Sequence, residues 1–296
     1  MLNVLSLFDG MSCGQMALKK ANLKINKYFA SEIDKYAIQV TQKNHPNTIQ
    51  LGDITKLKAN NLPKIDLLIG GSPCQDFSRG NSERLGLLGD KSGLFSHYVR
   101  LLEESKSKYY LLENVIMDRF YRDGISEILG VNPIRLNSSL VSAQLRDRLY
   151  WTNIPIVGLP EDKKTLLQDV LTDGYTDRKK SRCLLVSDSR PLTTPKKMFH
   201  RYKKTGFTTL AFSSNDFDWE KGIRYFNKKE LEELQTVPKN YTKCLTRNQA
   251  AAVLGNGWTV DVIAWILQFM DEEKREEIRK NQKQTTLFDL CEGVTT

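Results

Sequence analysis

Short apolar runs alternate with amphipathic stretches along the first half of the chain. The runs are rich enough in apolar residues for strands buried on both faces, and the stretches between them show the apolar spacing of helices. The predicted strands are residues 3–7, 27–30, 48–51, 65–69, 109–112 and 148–152, and the predicted helices are residues 14–21, 34–43, 95–105 and 119–129. This alternation predicts an α/β fold, with a parallel sheet covered by helices on both faces.

The alternation weakens after Asn153. Residues 153–223 are rich in Lys, Arg, Ser, Thr and Pro, with strand-like runs only at residues 183–186 and 207–212. We therefore predict a small inserted domain over residues 153–223. Helices predicted at residues 228–235 and 260–270 return the chain to the main sheet. The charged segment that follows, beginning at residue 271, is expected to be helical or disordered.

Composition fits an ordinary globular protein. The chain has 296 residues, of which 40% are apolar and 27% charged, and no apolar run approaches the roughly 18 residues of a membrane span. No basic region precedes an apolar run at the N-terminus, so we expect neither a signal peptide nor membrane association. Five scattered cysteines without C-x-x-C spacing argue against disulfides and a zinc site, and favour the cytoplasm.

The net charge of +9 is concentrated in one segment. Ten basic residues and a single acid, Asp188, lie between Arg178 and Lys204. Aromatic residues such as Phe199 and Tyr202 interleave with them. This pattern is typical of a nucleic-acid-binding surface, and a solvated lysine-rich surface is the alternative.

The ends of the first three predicted strands carry residues suited to an adenosine-containing cofactor. A glycine-containing loop follows the first strand, where a ligand can approach a helix N-terminus. Glu32 ends the second strand, where an acid can bind both ribose hydroxyls, and Asp53 ends the third, where it could accept from an adenine amino group. Either acid could instead cap a helix. The predicted cofactor residues at these ends are Phe8, Asp9, Gly10, Gly14, Glu32, Ile33, Asp53 and Ile54.

A cysteine follows the fourth predicted strand in the sequence Gly-Gly-Ser-Pro-Cys-Gln, residues 70–75. We expect Gly70 and Gly71 to allow a sharp turn and Pro73 to stiffen its exit. Cys74 would then lie at the rim of the sheet, where ligands of open α/β sheets bind. It is either a nucleophile or an inert buried cysteine.

From Leu2 to Met270 the chain resembles the cytosine-5 DNA methyltransferases, which use S-adenosylmethionine. The family's motifs occur in its order, at residues 8–14, 71–78, 113–115, 144–148, 224–238 and 255–260. Asp9 and Trp258 depart from the bacterial pattern and are similar to the animal de novo-type catalytic domain. The resemblance implies a Rossmann-like catalytic domain at residues 1–152 and 224–270, a target-recognition domain at residues 153–223, and a tail at residues 271–296.

The resemblance also implies the chemistry of the site. Cys74 would attack carbon 6 of a flipped cytosine, so that carbon 5 can accept a methyl group. Glu113 would stabilise the ring at nitrogen 3 and read the exocyclic amine, while Arg146 would hold the carbonyl oxygen of the base or the covalent intermediate. Further predicted cofactor contacts are Pro73, Asn256 and Trp258.

The predicted partner is double-stranded DNA. Residues 75–93 are rich in glycine and arginine and are expected to form a loop that closes over the DNA, with Ser78 and Arg79 as candidates to fill the gap left by the base. The predicted DNA-binding residues are Ser78, Arg79, Arg84, Arg148, Arg190, Thr193, Lys196, Lys197, Arg201 and Lys203.

Two alternatives stay open from the sequence, an RNA cytosine-5 methyltransferase and a catalytically silent DNA-binding relative. Near the C-terminus, Gln284 to Phe288 reads Gln-Thr-Thr-Leu-Phe, which resembles the peptide that binds the bacterial sliding clamp. Leu287 and Phe288 could instead pack on the protein itself. A monomer is compatible with the sequence, which leaves the oligomeric state open.

Overall fold

The computed structural model describes residues 1–73, 93–190, 192–205 and 210–280. Its strands are β1 (Leu2–Leu7), β2 (Ile25–Ser31), β3 (Ile49–Gln50), β4 (Leu67–Gly70), β5 (Tyr109–Val115), β6 (Ile134–Asn137), β7 (Gln144–Leu145), β8 (Asp147–Thr152), β9 (Ser181–Arg182), β10 (Leu210–Phe212) and β11 (Ile223–Tyr225). Its helices are α1 (Cys13–Lys20), α2 (Lys35–Asn44), α3 (Gly93–Ser105), α4 (Arg119–Leu129), α5 (Leu167–Val170), α6 (Pro195–Thr205), α7 (Lys228–Leu234), α8 (Arg247–Asn256) and α9 (Val260–Leu267).

Seven of these strands form one sheet in the order β3-β2-β1-β4-β5-β8-β6. The five strands from β3 to β5 in this order run parallel. Strand β8 runs antiparallel to β5, with Glu113 opposite Tyr150 and Val115 opposite Arg148. Strand β6 is antiparallel to β8. The carboxyl ends of five parallel strands therefore meet at one edge, beside the start of β8.

Alternate residues of the central strands enter two separate cores. Val4 and Leu67 pack in the core that contains α1, α8 and α9, whereas Leu5 and Leu68 pack with α3 and α4 on the other face. Because successive side chains of a strand point to opposite faces, this division requires strands that are apolar on both sides. The predicted sheet with helices on both faces is confirmed, but it is parallel only from β3 to β5 and is mixed as a whole, because β8 and β6 run antiparallel.

The segment between Asn153 and Ile223 is held in two ways. Leu167, Val170 and Leu184 join the core beside α8 and α9. Tyr202 and Phe212 instead form a small aromatic cluster around α6 and the β10–β11 hairpin. The predicted boundaries of the inserted domain stay predictions.

One detail of the predicted secondary structure is wrong. The strand expected at residues 183–186 is replaced by β9, which ends at Arg182, and by a 3-10 turn at Val186–Ser189, because the carboxylate of Asp188 accepts the N–H of Leu185. The helix expected at residues 260–270 is confirmed, as α9 and a 3-10 turn at Gln268–Met270. Within the described part of the chain, Arg247–Met270 is the one helical stretch apolar and long enough to cross a membrane, and most of it is buried in the core.

Candidate active site

A cavity of about 490 Å³ lies at the carboxyl ends of the parallel strands. Eleven residues predicted from the sequence line it: Phe8, Gly10, Glu32, Ile33, Asp53, Ile54, Pro73, Glu113, Arg146, Arg148 and Asn256. The fold thus brings predicted cofactor residues and predicted base-contacting residues into one space. Val253, Leu185 and Val186 also line the cavity, and no sequence signal beyond their apolar character marks them.

The loop between β1 and α1 is held in an uncommon backbone conformation. Phe8, Gly10 and Ser12 have φ values of 56°, 58° and 62°, and a left-handed conformation is costly for the two that are not glycine. The Asp9 carboxylate, which lies between them, accepts hydrogen bonds from the hydroxyls of Ser12 and Tyr28. These bonds hold the loop open towards the cavity.

Asp9 is buried below this loop. It is not one of the described residues that line the cavity. Burial raises the pKa of Asp9 to about 6, although hydrogen bonds from Ser12 and Tyr28 act to lower it. Gly14 also lies outside the lining. A Cβ at Gly14 would come within 2.4 Å of the Ile69 side chain, so its contact is packing of α1 on the sheet.

Glu32 is fixed at the cavity wall by three backbone N–H groups. Its Oε2 accepts from Gly10 at 2.7 Å, and its Oε1 accepts from Ile33 and Asp34 at 2.7 and 2.8 Å. A carboxylate offers about four acceptor positions, so about one stays for a ligand hydroxyl group. Ile33 lines the same cavity with 77% of its surface exposed, which offers an apolar face to a planar ring.

Asp53 combines both roles considered from the sequence. Its Oδ1 accepts the N–H of Thr55 at 2.9 Å and so caps the turn Ile54–Lys56. This hydrogen bond lowers the pKa of Asp53. Asp53 nevertheless lines the cavity, so a carboxylate is available there for a ligand amino group. Glu32, Ile33 and Asp53 together suit a nucleoside. Glu32 is an acid placed for the ribose, Ile33 is an apolar face for the ring, and Asp53 is a second acid for an amino group.

Glu113, near the end of β5, lies against the opposite wall. Its Oε1 is 3.0 Å from Nε of Arg148, and its Oε2 accepts a hydrogen bond of 3.0 Å from Nε1 of Trp258. All three side chains are buried or half-buried. Burial acts to lower the pKa of Arg148, but the negative charge of Glu113 acts to raise it, and the net shift is upward, so the guanidinium stays charged.

Gly71 makes this pairing sterically feasible. A Cβ at this position would lie 2.9 Å from Oε2 of Glu113 and 3.1 Å from Nε1 of Trp258. Gly70 ends β4, and neither glycine has a positive φ. The predicted sharp turn continues into residues outside the described structure and stays a prediction. Gly71 is needed because two side chains occupy the space a Cβ would take.

The strand end that leads to Cys74 is tied to β5. The side-chain amide of Asn114 donates to the carbonyl and the hydroxyl of Ser72, at 3.3 and 3.2 Å. Pro73, the next residue, lines the cavity. The predicted residues Cys74, Ser78, Arg79 and Arg84, and the predicted loop, lie outside the described residues.

Arg146 and Arg148 point to different partners. The buried guanidinium of Arg146 donates to the carbonyls of Leu184 at 3.2 Å and Gly257 at 2.9 Å, and it contacts Sγ of Cys183 at 3.1 Å. Arg146 thus ties residues after β9 to the segment between α8 and α9. Arg148, predicted as a DNA contact, is the arginine at Glu113.

Four predicted DNA-binding residues lie on α6: Lys196, Lys197, Arg201 and Lys203. With Phe199 and Trp219, whose rings stack at 5.8 Å, they line a second cavity of about 870 Å³. Arg190 and Thr193 are exposed just before this helix. Some of the other basic residues between Arg178 and Lys204 make hydrogen bonds within the protein.

Arg178 is one of the basic residues with an internal role, because it donates to the hydroxyl of Tyr202. Lys180 is another, since it donates to the carbonyls of Ser139 and Ser142. Within residues 178–204, most of the exposed cations therefore lie on α6.

Comparison with known proteins gives a family match and several relatives. Residues 2–117 match the model of the C-5 cytosine-specific DNA methylases. The chain is 27% identical to the Type II methyltransferase M1.ScrFI of Lactococcus lactis subsp. cremoris, over 91% of this chain and 78% of that protein. It is 38% identical to the orphan methyltransferase M.SPRI of Bacillus phage SPR, over 54% of this chain and 38% of that protein, so it matches well under half of the phage enzyme.

Solved structures share the fold at low sequence identity. The Entamoeba histolytica methyltransferase EhMeth has a TM-score of 0.73 at 16% identity, covering 92% of this chain and 98% of that one. Spodoptera frugiperda DNMT2 has a TM-score of 0.66 at 21% identity, covering 91% and 99%. The predicted Rossmann-like α/β methyltransferase fold is confirmed.

Proposed function

We propose, on the family match over residues 2–117 and the relatives along the chain, that this protein is a C-5 cytosine-specific DNA methyltransferase. It would transfer a methyl group from S-adenosylmethionine to carbon 5 of a flipped cytosine in double-stranded DNA. The observation that carries the proposal is the single cavity at the strand ends, which joins a nucleoside-type wall at Glu32 to the Glu113–Arg148 pair. Pro73, the residue before Cys74, lies in the same wall.

The wall formed by Glu32, Ile33 and Asp53 fits S-adenosylmethionine. The fixed carboxylate of Glu32 would accept from a ribose hydroxyl, Ile33 would cover one face of the adenine, and Asp53 would accept from its amino group. When bound, the cofactor supplies a methyl group on a positively charged sulfur. Phe8, Gly10, Ile54 and Asn256 would enclose it, while Asp9 and Gly14 support the loop from below.

The wall formed by Glu113 and Arg148 would receive the cytosine. Glu113 would contact the edge of the base that carries nitrogen 3 and the exocyclic amine, and Arg148, rather than Arg146, would lie beside it. One oxygen of Glu113 already accepts from Trp258 and the other is paired with Arg148, so the plane of the carboxyl group is set before the base arrives. Arg146 would act on the base site indirectly, by holding the surrounding segments.

Cys74 would supply the nucleophile. Its thiolate would form a bond to carbon 6, and the electron pair of the carbon 5–carbon 6 double bond would make carbon 5 nucleophilic. After carbon 5 has gained the methyl group, loss of its proton would restore the double bond and expel the thiolate. The base must leave the duplex for this attack, and Ser78 and Arg79 remain the proposed residues that fill its place.

DNA would be held by the surface around α6. Lys196, Lys197 and Lys203 are exposed there, and Arg201 lies in the same surface, where phosphates can reach them. Arg190 and Thr193 would extend this surface, and Arg84 would add a contact from the loop.

Several finer points are proposals from the residues and relatives. Asp9 and Trp258 relate the motifs to the animal de novo-type domain, and a restriction-modification role follows from the Type II relative. We place the protein in the cytoplasm, as a monomer. Sliding-clamp binding through Gln284 and Phe288 concerns residues outside the described structure. Its test is a pull-down of purified clamp by the full chain and by a chain that ends at residue 281.

The test of the function is a labelling assay with matched cysteine variants. The protein is incubated with tritiated S-adenosylmethionine and either unmethylated duplex DNA or an RNA pool. We expect 5-methylcytosine in DNA, no product with Cys74→Ala, and unchanged product with Cys244→Ala. Label in RNA alone would replace this proposal by an RNA methyltransferase, and DNA binding without label would indicate a silent relative.

A further inference from the structure

We propose that Trp258 is a positioning residue for Glu113, and that its indole N–H sets the orientation in which the carboxyl group meets the target base. The catalytic part of this inference rests on the proposed function. The contact itself does not, because Nε1 of Trp258 lies 3.0 Å from Oε2 of Glu113 in the protein alone. The sequence motif indicates a cofactor contact for Trp258, but among the described residues it is not part of the cavity lining.

The backbone on both sides of Trp258 is fixed by buried hydrogen bonds. The carbonyl of Gly257 accepts from Arg146 at 2.9 Å and from the side chain of Gln235 at 3.2 Å. The hydroxyl of Thr259 donates to Gln235 at 2.9 Å, and Ser138 donates to Thr259 at 2.8 Å. The backbone that carries the indole is therefore rigid, and the direction in which its N–H donates is fixed.

The two partners of Glu113 act together because both are donors only. An indole N–H cannot accept, and the guanidinium of Arg148 cannot either, so Trp258 faces one carboxylate oxygen through a hydrogen bond and Arg148 faces the other through an ion pair. Each oxygen keeps a second position that faces no fixed donor of this pair. One oxygen can then accept from the exocyclic amine of the base, while the other carries a proton that it shares with nitrogen 3.

The space for this arrangement is reserved at Gly71. A Cβ at Gly71 would lie about 3 Å from the polar atoms of both Glu113 and Trp258. Because glycine has no Cβ, this space stays free for their contact. Gly255 and Asn256, just before Trp258, line the cavity. The same short segment thus forms part of the cofactor wall and, through Trp258, sets the carboxylate of the base wall.

The kinetic test compares Trp258→Phe with Trp265→Phe. Trp265 packs on Phe269 in the core beside α9, so its variant also lacks an indole N–H but leaves the site intact. For Trp258→Phe we expect kcat to fall about 10- to 100-fold, the range of one hydrogen bond to a charged group. The KM for DNA and the Kd of S-adenosylmethionine should stay within about twofold, because Trp258 touches neither ligand in this account.

A second measurement tests the contact without any activity. The chain has four tryptophans, so a ¹⁵N-labelled protein gives four indole N–H signals, and Trp258→Phe identifies one of them. Glu113→Ala should move that signal and leave the Trp265 signal in place. If it does not move, the contact is absent in solution and the inference is overturned.

The outcomes separate this inference from the proposed function. A wild-type protein that methylates DNA with a Trp258→Phe variant of equal kcat overturns the positioning role alone. A variant with a raised Kd for S-adenosylmethionine and an unchanged kcat also overturns it, in favour of a cofactor contact. If the wild type makes no 5-methylcytosine, the proposed function fails. The contact between Trp258 and Glu113 is then tested by the indole N–H signals alone.

Discussion

Glu113 accepts a hydrogen bond on one carboxylate oxygen from Trp258, which lies 145 residues further along the chain, while its other oxygen is paired with Arg148. The contact crosses from the end of β5 to the link between α8 and α9. It joins the motifs at residues 113–115 and 255–260. Each motif is recognisable in the sequence, but the sequence does not indicate that the two are in contact. The base wall of the cavity is therefore built from three distant parts of the chain, Gly71 included.

A methyl group at Gly71 should disrupt this contact. In Gly71→Ala the added Cβ would lie about 3 Å from the polar atoms of both Glu113 and Trp258, so one of them must move. We expect at least a tenfold loss of kcat, since catalytic groups must be held within about 0.5 Å. A Gly71→Ala variant that folds like the wild type and keeps its kcat would contradict the steric account.

Arg146 and Arg148 should respond differently to replacement by lysine. Arg146→Lys retains the charge but cannot reach all the acceptors of the guanidinium, which include buried carbonyls of Leu184 and Gly257. We expect its free energy of unfolding to fall by about 1–3 kcal/mol. Arg148→Lys should cost less stability and more kcat, because it alters the pairing with Glu113. Urea denaturation and initial rates measure the two effects, and the reverse order would refute the assignment.

Asp9 should make stability depend on pH. Its folded pKa of about 6 is above the ordinary value of 3.8, because burial disfavours the charge, so the folded state prefers the protonated form. The stabilisation is complete below pH 3.8 and is lost as the pH rises through 6. We expect the unfolding free energy of the wild type to lose about 3 kcal/mol from this group across that window.

Asp9→Asn removes the titrating group and leaves all others in place. The difference in unfolding free energy between wild type and Asp9→Asn, measured by urea at about pH 4.5 and about pH 7.5, should therefore change in favour of the variant at the higher pH. A difference that is the same at both pH values would show that Asp9 titrates normally.

The exposed charges of α6 should control DNA affinity. Lys196→Ala with Lys203→Ala removes two cations from the proposed DNA surface. We expect weaker binding and a salt dependence of log K reduced by about 0.9 for each phosphate that is no longer neutralised. Lys24→Ala with Lys27→Ala removes the same charge near the start of β2, at the opposite end of the sheet from the cavity. Equal effects of the two pairs in a salt titration would place the DNA elsewhere.

Much of the fold follows from local pattern. The buried parallel strands and their helices carry continuous apolar runs or helical spacing, so β1, β2, α2, α4 and β5 lie within a few residues of their predicted places. The short strands of the insert do not, because β9 has only two residues and is held by pairing with β7. Such pairing depends on tertiary contact rather than on periodicity.

The candidate site was predictable as a set of strand ends. Glu32, Asp53 and Glu113 meet because parallel strands deliver their carboxyl ends to one edge. The pairing within the set was not predictable. Arg146 and Arg148 have the same residue type at alternate positions, and only the position of the backbone around Gly257 decides which of them contacts Glu113.

Covalent trapping of Cys74 tests the central claim most directly. Duplex DNA in which cytosine is replaced by 5-fluorocytosine is incubated with the protein and S-adenosylmethionine, because carbon 5 then carries no proton to lose and the thiolate cannot depart. We predict a denaturation-resistant complex whose modified peptide, identified by mass spectrometry, contains Cys74, and no complex with Cys74→Ser. A wild-type protein that methylates ordinary DNA but forms no such adduct, or forms it at another cysteine, would contradict the account.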